Sequence, residues 1–196
     1  MYPANNNIYY GYFNVYGFKP LRKIFAARTR KGVCFVELLA QQSLRVPEGC
    51  VAISSQNTRL LRQSLARTTK LIKDNAAFND IRDALTGYFA GKTTSFNMPV
   101  DLSTGTRFQQ RVWRKLKEIP YGEVRTYKWV AEGIGLPKGV RAIGQACASN
   151  PIPIIIPCHR VIRTDGNLGG YSSGVALKKQ LLRLEGRTVD NGLYVR

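Results

Sequence analysis

The sequence predicts an α/β lobe in the first half of the chain and a mainly helical domain with a helix-turn-helix in the second half. Two observations carry this prediction. Apolar, β-prone runs crowd the first forty residues, and segments with helical periodicity fill the second half. A turn-rich stretch, residues 93–105, separates the two patterns. We therefore predict an N-terminal α/β domain over residues 1–92, a connector over 93–105 and a C-terminal domain over 106–196.

Strand signals dominate the beginning of the chain. Lys23–Arg28 and Val33–Leu39 are apolar, β-prone runs on either side of residues 29–32, which predict a hairpin turn. The tyrosines of the first sixteen residues are expected to pack on a pleated surface, although a platform for stacking nucleobases stays an alternative. Helices are predicted near Thr58–Lys73 and near Phe78–Phe89, from apolar residues that recur on one face.

Helix signals dominate the second half. A helix is predicted to begin after Thr106, because Gln109 three residues later completes a capping box. A short helix is predicted near Tyr127–Ile134 and another over Lys138–Ser149. Two short helices joined by a tight turn that contains glycine indicate a helix-turn-helix, in which the second helix is the candidate recognition helix. A last helix is predicted over Val175–Glu185.

The charge of the chain is its most pronounced compositional feature. Thirty Lys and Arg residues against twelve Asp and Glu residues give a formal net charge of +18. This excess favours a polyanionic partner, most often nucleic acid, although a solvated surface is the simpler alternative. Charge alone does not separate DNA from RNA or from an anionic membrane. The candidate recognition helix is rich in Gly, Ala and Ser, which suits either close approach to a narrow groove or tight packing in a core.

The sequence shows no sign of secretion, membrane insertion or metal binding. Its longest apolar run, residues 152–157, is far too short to span a bilayer, and the N-terminus lacks a signal-like pattern. We expect a soluble intracellular protein without membrane contact, cytoplasmic in a prokaryote and nuclear in a eukaryote. The four cysteines have no CxxC spacing and the chain has a single histidine, so neither a metal nor a cofactor is expected.

The sharpest chemical feature is Cys158, which stands beside the single histidine, His159, in the segment PIPIIIPCHRV. A thiolate is a nucleophile and needs a partner that removes the thiol proton. A buried cysteine and a surface histidine that are adjacent by chance are the common alternative. Neighbours on a strand face opposite sides, so contact requires the chain to turn or a water to bridge. Glu185 is an acid that can orient the imidazole, although a charge on a helix surface is the simpler interpretation.

Residues 88–186 resemble the O6-alkylguanine-DNA alkyltransferase family. Seven segments carry the resemblance in the order and at the spacing of the family: YFAGK, GTRFQQRVW, IPYGEVRTY, LPKGVRAIGQA, NPIPIIIPCHRV, GGYSSG and LLRLEG. The segment IPCHRV is the most specific of them. The first half of the chain is similar to the RNase H-like α/β lobe of that family. The second half then corresponds to its mainly α, winged-helix-like domain.

The resemblance implies direct-reversal DNA repair. Cys158 would take the alkyl group from O6-alkylguanine in double-stranded DNA, irreversibly and once per molecule, as a methylated-DNA–protein-cysteine S-methyltransferase. O4-alkylthymine stays open as a second substrate. His159 would act on Cys158 through a water, Glu185 would hydrogen-bond His159, and Tyr127 would donate to the leaving guanine. The target base would be flipped out of the duplex. A monomer is expected, and cooperative binding along DNA stays open.

The resemblance also implies a DNA-binding surface and a substrate pocket. Arg141 would fill the space that the flipped nucleotide leaves. The other expected DNA contacts are Thr126, Lys128, Ala142, Gln145, Ser149 and Thr164. The residues expected around the substrate are Asn150, Val161, Tyr171, Ser172 and Ser173. The backbone around Ser172 would hydrogen-bond the O6 edge, the Val161 carbonyl would read the exocyclic amine, and Asn150 would tie the recognition helix to the Cys158 segment.

The chain departs from the family pattern at the edge of the pocket and on the helix-turn-helix. Ser173 stands where the family usually has Gly, which puts large adducts such as benzyl in doubt but not methyl. Lys128 replaces a common Gln and is expected to add a phosphate contact. Two other functions fit the sequence less well. A non-catalytic alkyltransferase-like protein lacks the acceptor cysteine that Cys158 supplies here. A basic helix-turn-helix transcription factor leaves the Cys-His segment unexplained and is expected to carry more base-reading side chains.

Overall fold

The computed structural model describes residues 7–14, 18, 21–40, 71–190 and 192–195. The chain divides into two compact units, residues 1–104 and 105–196. The first is an α/β unit and the second is mainly helical with short strands, so the predicted fold class is confirmed. Among the described residues, no helix is long and apolar enough to cross a bilayer.

The first unit is built on a four-stranded sheet. Its strands are β1 (Ile8–Asn14), β2 (Leu21–Thr29), β3 (Gly32–Ala40) and β4 (Leu71–Lys73). They lie in the order β3-β2-β1-β4, with antiparallel pairs except for β4, which joins β1 in parallel. The predicted hairpin is confirmed, because β2 and β3 pair across a turn in which Thr29 lies opposite Gly32.

Aromatic and aliphatic side chains of the sheet form the core of the first unit. Phe25 and Phe35 are buried on one face, and Tyr10 and Tyr12 pack partly buried against the same cluster. The described tyrosines therefore pack on the pleated surface, as predicted, since Tyr9 is also buried. The helix α1 (Asn79–Phe89) follows a single 3-10 turn and buries its own apolar residues, which confirms the second predicted helix.

The prediction of a helix near Thr58–Lys73 is wrong at its C-terminal end. Leu71–Lys73 form β4 and pair with Ile8–Tyr10 of β1. Residues 58–70 of the predicted helix lie outside the described residues. The helical periodicity continues through residues 71–73, but there the backbone hydrogen-bonds to the edge of β1. Such tertiary pairing overrides local helix propensity.

The last residues of the turn-rich stretch 93–105 attach to the sheet of the first unit. The Val33 amide donates to the Pro99 carbonyl at 3.0 Å, and the Asp101 amide donates to the Val33 carbonyl at 2.7 Å. The Thr29 hydroxyl donates to the Asp101 carboxylate at 2.6 Å. Residues 99–101 therefore lie beside β3 in a parallel bridge between Val33 and Val100, and the two compact units divide between Thr104 and Gly105.

The second unit contains four helices and four short strands among its described residues. The helices are α2 (Arg107–Leu116), α3 (Tyr127–Gly133), α4 (Val140–Ala148) and α5 (Val175–Leu184). The strands are β5 (Arg125–Thr126), β6 (Val161–Ile162), β7 (Thr188–Asp190) and β8 (Leu193–Val195). β5 and β6 pair in parallel, and β7 and β8 form an antiparallel hairpin.

Local signals at the helix ends behave as the sequence predicts. The Thr106 side chain accepts from the Gln109 amide at 3.2 Å and the Gln109 side chain accepts from the Thr106 amide at 2.9 Å, so the capping box is confirmed. α3 and α4 form the predicted helix-turn-helix. The buried Trp113 of α2 donates its indole N–H to the Ala146 carbonyl at 2.8 Å, which ties α2 to the end of α4.

The proline-flanked segment, residues 151–157, folds into a compact turn, although its β-branched isoleucines favour strands. Ile154 has a φ of 74°, a conformation that β-branched residues rarely adopt, and the Ile156 amide donates to the Ile152 carbonyl at 2.9 Å. The isoleucines of this turn are buried. The chain then enters a single 3-10 turn over Cys158–Arg160, which presents Cys158 directly after the rigid turn.

Candidate active site

Cys158 lies at the centre of a closed, polar environment. Its side chain is buried, and the Asn150 amide nitrogen Nδ2 donates a hydrogen bond to its Sγ at 3.0 Å. Burial raises the pKa of the Cys158 thiol above its ordinary value, while the Asn150 hydrogen bond and the charge of Lys178 act in the opposite direction. Burial therefore favours the thiol form of Cys158, whereas Asn150 and Lys178 favour its thiolate form.

Asn150 connects the end of α4 to the Cys158 segment. It follows α4 and is buried, with Nδ2 donating both to the Ile156 carbonyl at 2.8 Å and to Cys158 Sγ. Its Oδ1 accepts from the Ile152 amide at 3.0 Å. Each polar atom of this side chain thus binds the segment that presents the sulfur, which links the end of α4 to Cys158.

His159 and Glu185 form a buried pair next to the sulfur-bearing residue. His159 Nε2 lies 2.9 Å from Glu185 Oε1, and both side chains are fully buried. Arg160 donates two hydrogen bonds to the same carboxylate, from its Nε and from one terminal nitrogen, at 2.9 Å each. It also donates to the Ile119 carbonyl at 2.7 Å. The Gly122 amide donates to Glu185 Oε2 at 3.1 Å. The interpretation of Glu185 as a surface charge is therefore wrong.

The protonation states of this pair follow from its surroundings. Burial acts to raise the pKa of Glu185, but the hydrogen bonds and charges of His159 and Arg160 outweigh it and lower the pKa to about 2. Burial lowers the pKa of His159, which Glu185 only partly opposes. Glu185 is thus a carboxylate and His159 a neutral imidazole near pH 7, so the histidine is able to accept a proton.

A buried lysine, which the sequence reasoning missed, completes the polar centre. Lys178 of α5 is 0% exposed, and its Nζ donates to the Val161 carbonyl at 2.6 Å and to the Leu168 carbonyl. Burial lowers the pKa of Lys178 to about 8, while the nearby sulfurs of Cys158 and Cys147 act to raise it. The ammonium is mostly charged at pH 7 and acts on Cys158 as a nearby cation.

A periodic signal in the sequence could have found both Lys178 and Glu185. They occupy the first and last places of a pattern, 178-181-182-185, whose middle places are the fully buried leucines of α5. Positions i, i+3, i+4 and i+7 share one face of a helix. The two charged residues therefore lie on the buried face, and charges placed there call for specific partners.

Tyr127 begins α3 and reaches towards the loop that follows β6. Gly169 in that loop has a φ of 67°, and a Cβ added there would lie 3.3 Å from the Tyr127 hydroxyl oxygen. Burial, with the nearby sulfurs of Cys147 and Cys158, raises the pKa of Tyr127 to about 12. The phenol therefore keeps its proton and is a hydrogen-bond donor. Arg163, a further residue that the sequence reasoning missed, lies beside the same glycine.

The remaining predicted DNA-binding residues lie at or near the surface of the helix-turn-helix and its neighbouring loop. Arg141 and Gln145 are exposed on α4, and Ala142 and Ser149 are half-buried on the same side of the helix. Thr126 caps α3, with its hydroxyl oxygen accepting from the Trp129 amide at 3.1 Å. Thr164 is exposed, and Lys128 is exposed with Nζ 3.8 Å from a Glu132 oxygen.

The predicted pocket residues differ in how much of their polar surface remains available. The buried Val161 carbonyl already accepts from Lys178 and keeps a second lone pair for a further donor. Ser172 and Ser173 are exposed in the turn 171–174, which the Gly174 amide closes by donating to the Tyr171 carbonyl at 3.0 Å. The Tyr171 hydroxyl is buried, without a hydrogen-bond partner among the described residues.

The described residues contain no group of three or more His, Cys, Asp or Glu side chains that is able to hold a metal ion. The described cysteines Cys34, Cys147 and Cys158 are free and buried. The chemistry of the site thus rests on a thiol, a neutral histidine oriented by a carboxylate, a buried ammonium and a phenol. These groups suit transfer of a carbon group to sulfur.

Known proteins are similar to this chain in sequence and in fold. A methylated-DNA–protein-cysteine methyltransferase of Mycobacterium bovis is 48% identical over 130 residues, which cover 66% of this chain and 78% of that protein. One of the same description from Methanosarcina acetivorans is 50% identical over 115 residues, which cover 59% and 73%. The crystal structure of Mycobacterium tuberculosis OGT in complex with DNA matches with a TM-score of 0.71 and 35% identity, covering 90% of this chain and 92% of that one.

Two family models match the two units separately. Residues 8–102 match the ribonuclease-like domain of 6-O-methylguanine DNA methyltransferase, and residues 107–187 match its DNA-binding domain. The second match contains the buried thiol, the His–Glu pair and the helix-turn-helix. Because both domains match in order and close relatives span most of their own length here, the chain belongs to the 6-O-methylguanine DNA methyltransferase family.

Proposed function

We propose that this protein repairs DNA by transferring the alkyl group of O6-alkylguanine to Cys158, irreversibly and once per molecule. The observation that carries the proposal is the environment of Cys158: a buried sulfur that accepts from Asn150 and follows directly on a turn braced by α4. The names of the relatives, methylated-DNA–protein-cysteine methyltransferases, support this reaction. The presence of Cys158 disfavours a binding module that only recognises the lesion.

The proton of the Cys158 thiol passes to His159, through a bridging water. His159 is neutral and its Nε2 is held by Glu185, which stabilises the imidazolium as it forms. The thiolate then attacks the alkyl carbon. A carbon–sulfur bond forms and the carbon–O6 bond breaks, with the electron pair of that bond leaving on the guanine.

Tyr127 stabilises the leaving guanine. Its pKa of about 12 keeps the phenol protonated, so the hydroxyl donates to the base as negative charge develops there. The Val161 carbonyl, through its second lone pair, reads the exocyclic amine, and the backbone around Ser172 binds the O6 edge. These contacts recognise guanine by its exocyclic amine and O6 edge, and they orient the base with its alkyl group facing Cys158.

The target base reaches the buried sulfur by flipping out of the duplex, since a stacked base exposes no path to a thiol in this environment. α4 lies in the minor groove, where Arg141 takes the place of the flipped nucleotide. Gly144 supports this placement, because a Cβ added there would meet nothing within 4 Å in the protein. Its small size is thus unexplained by packing in a core and suits close approach to DNA. We propose that the protein acts as a monomer.

Intact mass spectrometry tests the transfer. After mixing with a duplex that contains one O6-methylguanine, the protein gains the mass of one CH2, because the methyl group replaces the thiol hydrogen, and Cys158→Ala gains none. Cys147→Ala is the matched control, because it removes another buried thiol of the same unit and is expected to gain one methyl group. A wild-type protein that gains no mass, or a Cys158→Ala variant that gains it undiminished, would refute the assignment.

Arg141→Ala tests the flipping role. We expect the reaction with duplex DNA to slow by at least tenfold, about 1.4 kcal/mol, and the reaction with free O6-methylguanine base to stay unchanged. Lys138→Ala is the matched control, since it removes the same charge beside the same end of α4. The two rates are measured by single-turnover kinetics, and equal losses on both substrates would exclude the flipping role.

A further inference from the structure

A C-terminal hairpin contacts the loop that joins Cys158 to the pocket edge. The hairpin is β7–β8, and the loop, called the lip loop here, is residues 163–170. The Leu168 amide donates to the Gly192 carbonyl at 3.0 Å, and the Tyr194 amide donates to the Gly166 carbonyl at 2.9 Å. Asn167 and Leu193 form an antiparallel bridge. β8 therefore adds to the lip loop as a strand adds to a sheet.

The hairpin also covers the apolar side of the lip loop. Val189 of β7 is buried in one cluster with Leu168 of the lip loop and Ile162 of β6, and Tyr194 of β8 packs against this cluster. The Arg183 side chain donates to the Val189 carbonyl at 3.0 Å, which holds β7 to α5. Leu168 is thus held by its side chain as well as by its backbone.

The lip loop meets the reaction centre immediately beyond these contacts. The Leu168 carbonyl accepts from Lys178, and Gly169 lies under the Tyr127 hydroxyl. The hairpin therefore holds residues 168–169 on one side. On the other side the same residues contact the Lys178 ammonium and the Tyr127 hydroxyl. A loss of the hairpin contacts changes the support of both groups without touching either of them.

The internal bonds of the lip loop cannot replace the hairpin. They are short-range: the Arg163 amide donates to the Asn167 carbonyl at 2.8 Å, and the Gly169 amide donates to Asn167 Oδ1 at 2.8 Å. Neither involves the Leu168 amide. Without β8, this buried amide loses its acceptor and the side chain of Leu168 loses its cover, so the loop is no longer held in one position.

We propose that the β7–β8 hairpin positions the lip loop, with Tyr194 as its side-chain anchor, and thereby sets Lys178 and Tyr127 for alkyl transfer. Tyr194 is a positioning residue, since its contacts are with the cluster and the lip loop. This inference rests on the proposed function for its kinetic consequence, but its structural consequence is measurable without any alkyl transfer.

Tyr194→Ala tests the kinetic consequence. We expect about a tenfold slower methyl transfer from O6-methylguanine duplex and free base alike, because misplacement of supporting groups by fractions of an ångström reduces rate steeply. Iodoacetamide needs no leaving-group donor, so labelling of Cys158 loses only the support of Lys178 and is expected to slow less than methyl transfer. Tyr194→Phe keeps the ring and is expected to restore methyl transfer. Leu193→Ala, at an exposed neighbouring position of β8, is expected to match wild type.

Amide hydrogen exchange tests the structural consequence. In full-length Tyr194→Ala, exchange faster than in wild type is expected at the Leu168 amide, with the α2–α4 amides unchanged. Unaltered exchange at Leu168 and wild-type kinetics in Tyr194→Ala would each overturn the proposal. So would equal losses in methyl transfer and iodoacetamide labelling, which indicate general loosening. If wild type transfers no methyl group, the proposed function fails, and the exchange result still decides whether the hairpin holds the lip loop.

Discussion

Replacement of Lys178 by Met separates the reactivity of Cys158 from the stability of the fold. The substitution keeps an unbranched side chain of similar length but removes the buried charge. It leaves the Val161 and Leu168 carbonyls without their donor, at a cost of about 1–3 kcal/mol each. It also removes a penalty, since a pKa lowered from 10.5 to about 8 corresponds to about 3 kcal/mol of unfavourable burial. The two effects nearly cancel, so the free energy of unfolding at pH 7 is expected to change little.

The reactivity of Cys158 is expected to fall, because nothing replaces the lost cation. Two unit charges closer than about 11 Å interact by more than about 1.5 kcal/mol at an effective dielectric constant of about 20, which corresponds to at least tenfold in rate. Single-turnover methyl transfer and the pH dependence of iodoacetamide labelling measure this loss. The labelling profile of Lys178→Met is expected to shift to higher pH, because the pKa of Cys158 rises without the cation.

The control is Lys179→Met, which removes the same charge at the neighbouring, partly exposed position. Stability supplies an independent check. An unfolded lysine keeps its proton up to about pH 10.5, while the buried one loses it near 8, so wild type gains stability as pH rises between these values and Lys178→Met does not. A Lys178→Met protein with the wild-type labelling profile and transfer rate would refute the electrostatic role.

Two further predictions concern the same buried centre. Glu185 contributes stability that is fully present above about pH 4.5 and is lost as pH falls towards 2, because its folded pKa is lowered; this is on the order of 3 kcal/mol. Acid titration followed by circular dichroism is expected to show this loss in wild type, and a Glu185→Gln variant with the same acid profile would contradict it. Methylation of Cys158 is expected to lower the melting temperature, because the added group displaces the Asn150 Nδ2–Sγ hydrogen bond in a buried site. Differential scanning calorimetry before and after reaction measures this, and an unchanged or higher melting temperature would count against the described packing.

Features that depend on neighbouring residues were predictable from the sequence. The hairpin of β2 and β3, the capping box at Thr106 and the helix-turn-helix each follow from signals within a few residues, and each is present. The observed ends of these strands and helices lie within one or two residues of the predicted ends. Local backbone preferences decide such elements, so one sequence is enough to predict them.

Features that depend on distant partners were not predictable. β4 exists because β1 offers a free edge, and no local pattern announces that pairing. The turn at Ile154 needs a φ that isoleucine disfavours, and the buried surroundings impose it. The roles of Lys178 and Arg160 required knowledge of which carbonyls and carboxylate they meet. The proposal that Cys158 is the reactive residue came from the family resemblance, whereas the groups placed to tune it are visible only in the fold.

The buried charges explain how a closed site tolerates a thiolate. Arg160 and Lys178 are cationic, Glu185 is anionic and His159 is neutral, so the cluster carries one net positive charge while Cys158 is a thiol. Transfer of the thiol proton to His159 leaves that total unchanged, because it creates an ion pair inside the cluster. The new imidazolium lies against Glu185, and the new thiolate is stabilised by Lys178 and Asn150.

The same balance accounts for the single use of the molecule. Burial makes an isolated charge on sulfur unfavourable, so the thiolate forms only as the partner of the imidazolium. Attack on the alkyl carbon converts the sulfur into a neutral thioether, which has no proton to give and no charge for Lys178 to stabilise. No group described around Cys158 is placed to attack the new carbon–sulfur bond: His159 is held by Glu185 and Lys178 is held by two carbonyls. The features that we propose make Cys158 reactive therefore offer no route from the thioether back to the thiol.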